Sequence, residues 1–168
     1  DSQSQKDDPS IEEYTGLAVG GNGGGQRQYI SNEHQLLINL LVADLTLYNE
    51  DGISIQGYQF RGDKIMRGCN MGRPPKGVRN QRNINLVSRP NEYCNGVEIY
   101  YGGRHDGIRG IRFVTNLERV IMVGKDARFG KKWKKTKLIL PHKQYGIIGF
   151  QGRSGWLLDQ ICFVFAPQ

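Results

Sequence analysis

Long apolar runs, helical periodicity, histidine and cysteine are all scarce in this 168-residue chain. The longest apolar run, residues 36–43, is broken by Asn39 and falls far short of the ~20 residues a membrane-spanning helix requires, so no membrane span is expected. The first residues, Asp1 to Pro9, are polar and acidic with no basic start or apolar centre, so no signal peptide is expected within them. The three histidines, His34, His105 and His142, are scattered; no Cys/His spacing suits a metal, and no Ser or Cys nucleophile lies in a recognisable elbow. Neither enzyme activity nor a cofactor is expected. The pair of carboxylates that glycoside hydrolysis would need, Asp106 with Asp159, is the one alternative. No Asn-x-Ser/Thr sequon occurs, so N-glycosylation is not expected.

Cysteine is limited to Cys69, Cys94 and Cys162. Of the three pairings, Cys69 with Cys94 is expected, because it closes a ~25-residue loop and would stabilise the fold by roughly 3 kcal/mol in an oxidising compartment. Cys162 is then left as a small buried hydrophobe or an intermolecular link.

What is present points to one globular domain. Hydrophobic residues make up 38% and charged residues 23%, enough for a chain of this length to bury a single core without staples. The net charge of +7 is unevenly spread: residues 1–13 carry −4 and 14–60 carry −3, whereas 61–90 and 125–143 each carry +7. Two compact basic segments in an otherwise acidic or neutral body predict a local field attractive to polyanions, with plain solvated loops as the alternative.

Glycine, at 23 of 168, is nearly twice its usual share and clusters at 20–25, 102–103 and 149–155. Such clusters mark tight turns between strands. Strand character lies between them, at 44–48, 53–58, 97–101, 108–115, 119–123, 145–150 and 161–165, several with apolar/polar alternation. Only 32–43 would pass as an amphipathic helix, and its leucine-rich run reads equally as a strand buried on both faces. The expectation is an all-β domain over 13–168 with an acidic, disordered arm over 1–12.

Several segments carry a family resemblance. Gly107 to Asn116, the Val123-Gly124-Lys125 turn, the Leu140-Pro141 step and Gly149 to Ile161 resemble the later strands of jacalin-related lectins of the mannose-binding type. Val19 to Gly24 resembles the first glycine loop of that family. The Gly-Lys-Asp turn at 124–126 and the Gly-Arg-Ser-Gly run at 152–155 are most similar to its animal branch, the zymogen-granule lectins. The resemblance implies a β-prism I fold, three antiparallel four-stranded sheets, with a glycan site formed by three loops at one end. Carried over by position, Gly24 would offer a backbone N–H, while Gly103, Arg104 and His105 would form the recognition loop. The amides of Trp156 and Leu157 with the Asp159 carboxylate would form the binding loop.

The chemistry is reasonable on its own terms. A hexose presents adjacent hydroxyls; one ionised carboxylate accepts two of them, and glycine lets backbone donors come close enough to complete the set. For Asp159 the alternative is a carboxylate satisfied by turn amides, and for Trp156 it is packing rather than stacking on a sugar face. A cation at Arg104 or His105 departs from an apolar or lysine-bearing recognition loop and would favour sulfated, sialylated or phosphorylated glycans.

The basic segments extend that expectation. Lys131-Lys132-Trp133-Lys134-Lys135-Thr136-Lys137 reads as a loop running into an edge strand, and 61–90, with Arg73-Pro74-Pro75-Lys76, as an inserted loop. Arg73, Lys76, Lys131, Lys132, Lys134 and Lys135 would hold a sulfated polysaccharide of the heparin type; nucleic acid is the competing polyanion, but no nucleic-acid motif is present. Arg61-Gly62-Asp63 is an integrin-type tripeptide too short to count. The expected protein is a secreted or extracellular lectin whose partners are glycans, including those of glycoproteins, with oligomerisation or repetition supplying avidity. The alternative is a non-enzymatic adhesion or structural module of a larger secreted protein that docks a protein partner and has lost sugar binding.

Overall fold

The structure is a computed structural model that describes residues 13–21, 26–31, 35–47, 50–61, 64–72, 81–103, 105–124 and 135–168. Among these residues every regular element is a β-strand: β1 (Tyr14–Thr15), β2 (Val19–Gly20), β3 (Gln26–Ser31), β4 (Leu37–Leu47), β5 (Glu50–Arg61), β6 (Lys64–Met71), β7 (Gln81–Asn85), β8 (Cys94–Gly102), β9 (Gly107–Thr115), β10 (Val120–Gly124), β11 (Lys135–Ile139), β12 (Tyr145–Ser154) and β13 (Leu158–Pro167). They form three antiparallel sheets. The first runs β1-β13-β12-β3, with β2 continuing the β1 edge along β13; the second runs β6-β5-β4-β7, and the third β10-β9-β8-β11.

Each sheet turns one apolar face to a shared core. Ile53 and Ile55 from β5, Ile99 from β8, Ile111 and Phe113 from β9, and Phe150, Phe163 and Phe165 from β12 and β13 are all fully buried in one cluster. Phe163 sits where the sheets meet, with its ring edge-on to Phe113 at 5.6 Å and tilted against Phe150 at 6.0 Å. Burial of each such side chain contributes about 1.5–3 kcal/mol, and the ring geometry adds about 0.5–1.5 kcal/mol per pair. Three antiparallel sheets around one core make a β-prism, as the resemblance implied.

One open choice is decided and two expectations are corrected. Residues 32–43 give no helix in their described part: Leu37 onward belongs to β4, paired on both sides by β5 and β7. Residues 61–90 are not merely an inserted loop, because β6 and β7 from this segment are the outer strands of the second sheet, with Met71 opposite Ile55 and Ile84 opposite Leu40. In β7 the exposed Gln81, Arg82, Asn83 and Asn85 surround the one partly buried residue, Ile84, so no alternation marks the strand. The Cys69–Cys94 disulfide is not formed. Cys94 is a free, buried thiol that donates to the Leu86 carbonyl at 3.7 Å, at the start of the third sheet, whereas Cys69 lies in an outer strand of the second.

The end of the prism where β8 begins is fastened by a buried carboxylate. Glu92, 1% exposed, accepts hydrogen bonds from the Ser88 N–H (2.8 Å), Ser88 Oγ (3.0 Å), Thr115 Oγ1 (3.0 Å) and both Nε and Nη2 of Arg119 (3.1 and 3.0 Å). Arg119 also donates to the Asn85 carbonyl at 3.0 Å. The Arg119 guanidinium, helped by the Ser88 and Thr115 donors and opposed by burial, holds the Glu92 carboxyl down at about 2. The segment before β8 and the β9–β10 turn are thereby tied together.

Candidate functional site

At the other end of the prism, roughly 27 Å away along the nine residues of β8, three segments converge. They are represented by Gly21 just after β2, by Gly103, His105 and Asp106 between β8 and β9, and by the β12–β13 loop (155–157). One amide links them: the Gly21 N–H donates to the Asp106 carbonyl at 2.9 Å and to the Asp159 carbonyl at 3.1 Å. A Cβ on Gly21 would overlap the His105 carbonyl oxygen, so only glycine permits this approach.

In the β12–β13 loop, a register shift between Arg153 and Ser154 lets the chain swell outward before β13 starts. The Gly155 N–H is shared between the Leu157 carbonyl and Asp159 Oδ2, each at 3.2 Å. The space above Gly155 is open, with no atom within 4 Å of where a Cβ would stand. Trp156 projects beside it, 56% exposed. Leu157 turns the other way and rests on Gly52 at the start of β5, where a Cβ would lie 2.7 Å from its Cδ1. Asp159 is half-buried, and burial pushes its carboxyl above the ordinary range against the opposing pull of the Gly155 amide, His105 and Arg109.

The β8–β9 loop carries the remaining groups. Gly103 is exposed with φ +80°, and Asp106 also occupies the left-handed region, at φ 51°, which aspartate tolerates. His105 is exposed. Lys135, at the start of the edge strand β11, reaches across to both Asp106 carboxylate oxygens at 3.0 and 2.9 Å and lies 5.9 Å from the centre of the Tyr101 ring. The Asp106 hydrogen bond, more than its charge alone, raises the Lys135 ammonium above its usual range.

Beneath this loop lies Arg109, which the sequence reading did not single out. It is 2% exposed; Nε and Nη2 donate to the Gly102 carbonyl at 3.1 and 2.9 Å, Nη2 to Glu50 Oε2 at 2.9 Å, and Nη1 to the Asp51 carbonyl. A signal was available in the run Ile108 to Ile111, all buried, which Arg109 interrupts; but β9 carries an extra residue here, Tyr100 pairing with Gly110 and Tyr101 with Ile108, so simple alternation does not tell which way Arg109 turns.

Of the expected site residues, Gly103, His105, Trp156, Leu157 and Asp159 lie at this end of the prism, with Leu157 used for packing. Lys135 is placed beside the same loops rather than on a separate surface. Gly24, Arg104, Arg73, Lys76, Lys131, Lys132 and Lys134 lie outside the described residues, as does the arm over 1–12. Together these groups offer a partly desolvated carboxylate under open space, a neighbouring aromatic face and an adjacent charged loop, a set suited to a polyhydroxylated ligand.

Comparison with known proteins gives the same direction. The family model for the Jacalin-like lectin domain matches residues 17–164. PYK10-binding protein 2 of Arabidopsis thaliana is 29% identical over 154 residues, which cover 89% of this chain and 46% of that protein, so the chain spans about half the length of this relative. Among solved structures, the agglutinin of Calystegia sepium shares the fold with a TM-score of 0.70 at 19% identity, covering 94% of this chain and 98% of that one. A mannose-specific jacalin-related lectin from Morus nigra, solved with mannose, has a TM-score of 0.67 at 23% identity, covering 92% and 95%.

Proposed function

Because the chain belongs to the Jacalin-like lectin domain family, we propose that it is a non-enzymatic carbohydrate-binding domain that takes a mannose-type sugar at the three-loop end of the prism. The observation that carries this reading is the half-buried Asp159 carboxylate, poised beside the open space over Gly155 and tied through its backbone to Gly21. Two adjacent sugar hydroxyls donate to the ionised carboxylate. The amides of Trp156 and Leu157, with that of Gly24 by resemblance, donate to the sugar oxygens, and the Trp156 ring covers a C–H face. Gly103 and His105 line the outer side and, with Arg104 by resemblance, select what the sugar is attached to. The Morus nigra lectin binds mannose and a further structural neighbour, Calsepa lectin, was solved with a biantennary N-glycan, which supports a mannose-containing glycan here.

A second component of the reading concerns acidic glycans. Lys135 stands at the recognition loop, and the lysine-rich run that precedes it carries much of the +7 of residues 125–143. A sulfated or otherwise acidic glycan is then held partly by Lys135 and its neighbours, in a salt-dependent manner. One site of this kind binds weakly, on the order of millimolar to micromolar, so a homo-oligomer or repetition in a longer chain supplies avidity, and an extracellular setting supplies the ligands.

The test is a glycan array including heparin fragments, probed at low and high salt with the wild type and Asp159→Ala. Neutral mannosides retained in high salt and lost in the variant support the loop site. Binding confined to sulfated ligands, abolished by salt and indifferent to Asp159, overturns it. Binding of no glycan favours the protein-docking module.

A further inference from the structure

Resting on the carbohydrate reading, we infer that Arg109 is the positioning residue of the sugar site, holding the recognition loop and the binding loop in register through the start of β5. Its guanidinium joins two sheets. Two N–H groups fix the Gly102 carbonyl at the root of the recognition loop, in the third sheet, and the remaining donors grip the Asp51 carbonyl and the Glu50 carboxylate in the second. The next residue, Gly52, is the seat of Leu157 from the binding loop. Both loops are thus referenced to the same three residues, Glu50, Asp51 and Gly52.

The fit is close on the loop side as well. A side chain on Gly103 would overlap Arg109 Nη2 and stand 2.9 Å from Glu50 Oε1, so the loop lies directly on the guanidinium. The planar fork reaches carbonyls in two directions at once, and a lysine at 109 would reach only one of them. Arg109 touches no sugar. It acts by fixing where Gly103, His105 and Asp106 stand relative to Asp159, and its charge also favours the ionised form of that carboxylate.

The experiment compares wild type, Arg109→Met, Arg109→Lys and Glu50→Gln, each confirmed folded by circular dichroism and assayed well below its own Tm. Methyl α-mannoside affinity is measured against pH, together with hydrogen exchange at the Gly21 amide. Both Arg109 variants are expected to bind at least 10-fold more weakly and to exchange the Gly21 amide at least 10-fold faster. The Asn116 amide, bonded to the Tyr93 carbonyl at the far end, stays protected. In Arg109→Met the acid limb of the binding profile moves to higher pH, whereas Arg109→Lys, which keeps the charge, leaves it in place. Glu50→Gln, altered at a side chain 27% exposed, carries the test if the Arg109 variants do not fold, and it is expected to weaken binding severalfold. Folded variants with wild-type affinity and wild-type Gly21 protection overturn the inference. A wild type that binds no mannoside, with Gly21 protection still lost in the variants, overturns the carbohydrate reading and leaves Arg109 holding the loops.

Discussion

Replacing Glu92 with glutamine isolates the clamp that fastens the far end of the prism. The carboxylate accepts five hydrogen bonds, two of them from Arg119, and is itself 1% exposed. The amide has nearly the same shape but keeps a single acceptor oxygen, and its NH2 must face donors on Arg119, Ser88 or Thr115. Losing a buried charge pair by removing one partner costs about 3–5 kcal/mol, but Arg119, with a side chain 33% exposed, recovers part of that from water, leaving about 2–3 kcal/mol. The lowered carboxyl pKa leads to a similar figure. A carboxyl held at about 2 instead of 4.5 is worth roughly 3 kcal/mol, and solvent around Arg119 trims this to about 2 kcal/mol.

The sign follows from the lowered value: the contribution is complete above pH 4.5 and is lost as pH falls from there through about 2. Urea unfolding of wild type and Glu92→Gln at pH 7 should therefore differ by about 2–3 kcal/mol, equivalent to a Tm difference of about 5–10 °C for a chain of this size. Near pH 2 the two should nearly coincide. Sugar binding at the opposite end should be unchanged in the folded variant. A gap under 0.5 kcal/mol at pH 7, or one of equal size at both pH values, refutes the reasoning.

Four further outcomes are expected. Asp159→Asn should abolish mannoside binding while leaving the chain as stable or slightly more stable at pH 7, because burial disfavours the native carboxylate; a marked fall in Tm contradicts this. In the wild type, mannoside affinity should fade as pH drops, with a midpoint above the ordinary aspartate value of 3.8, and isothermal titration across pH 3–7 reads it directly. Gly21→Ala should weaken mannoside binding at least 10-fold and cost about 1–3 kcal/mol, since its Cβ drives apart the strands that the Gly21 amide joins. Cys94, whose thiol is pushed up to about 12 chiefly by burial, and buried Cys162 should resist a thiol reagent in the native chain at pH 8 and react on unfolding; a Cys94 that stays blocked after unfolding is in a disulfide.

The strands of the second half were legible because their inward positions carry Ile, Val and Phe and their ends carry glycine. β12 and β13 could be read almost directly from 145–150 and 161–165. β6 and β7 could not, because in sequence buried Met71 and partly buried Ile84 stand among arginines and asparagines with no regular apolar alternation around them. The Cys69–Cys94 spacing suited a loop staple, but chain distance says nothing about which sheet a strand joins. At the site, the Gly155-x-x-x-Asp159 spacing was visible because its residues are neighbours in sequence. Arg109 was not, since its partners Glu50 and Asp51 arrive from another sheet, 59 and 58 residues away, and the bulge in β9 at this position breaks the alternation. Lys135 was expected on a separate polyanion surface; strand pairing of β11 with β8 brings it to Asp106 in the β8–β9 loop instead.

A titration of the isotopically labelled chain with methyl α-mannoside, followed by amide NMR, tests sugar binding at the three-loop end most directly. Saturable shifts at Gly21, His105 and Gly155 to Asp159 in the wild type, absent in Asp159→Asn, are expected. Shifts located elsewhere on the prism, or none at tens of millimolar sugar, contradict the placement of the site.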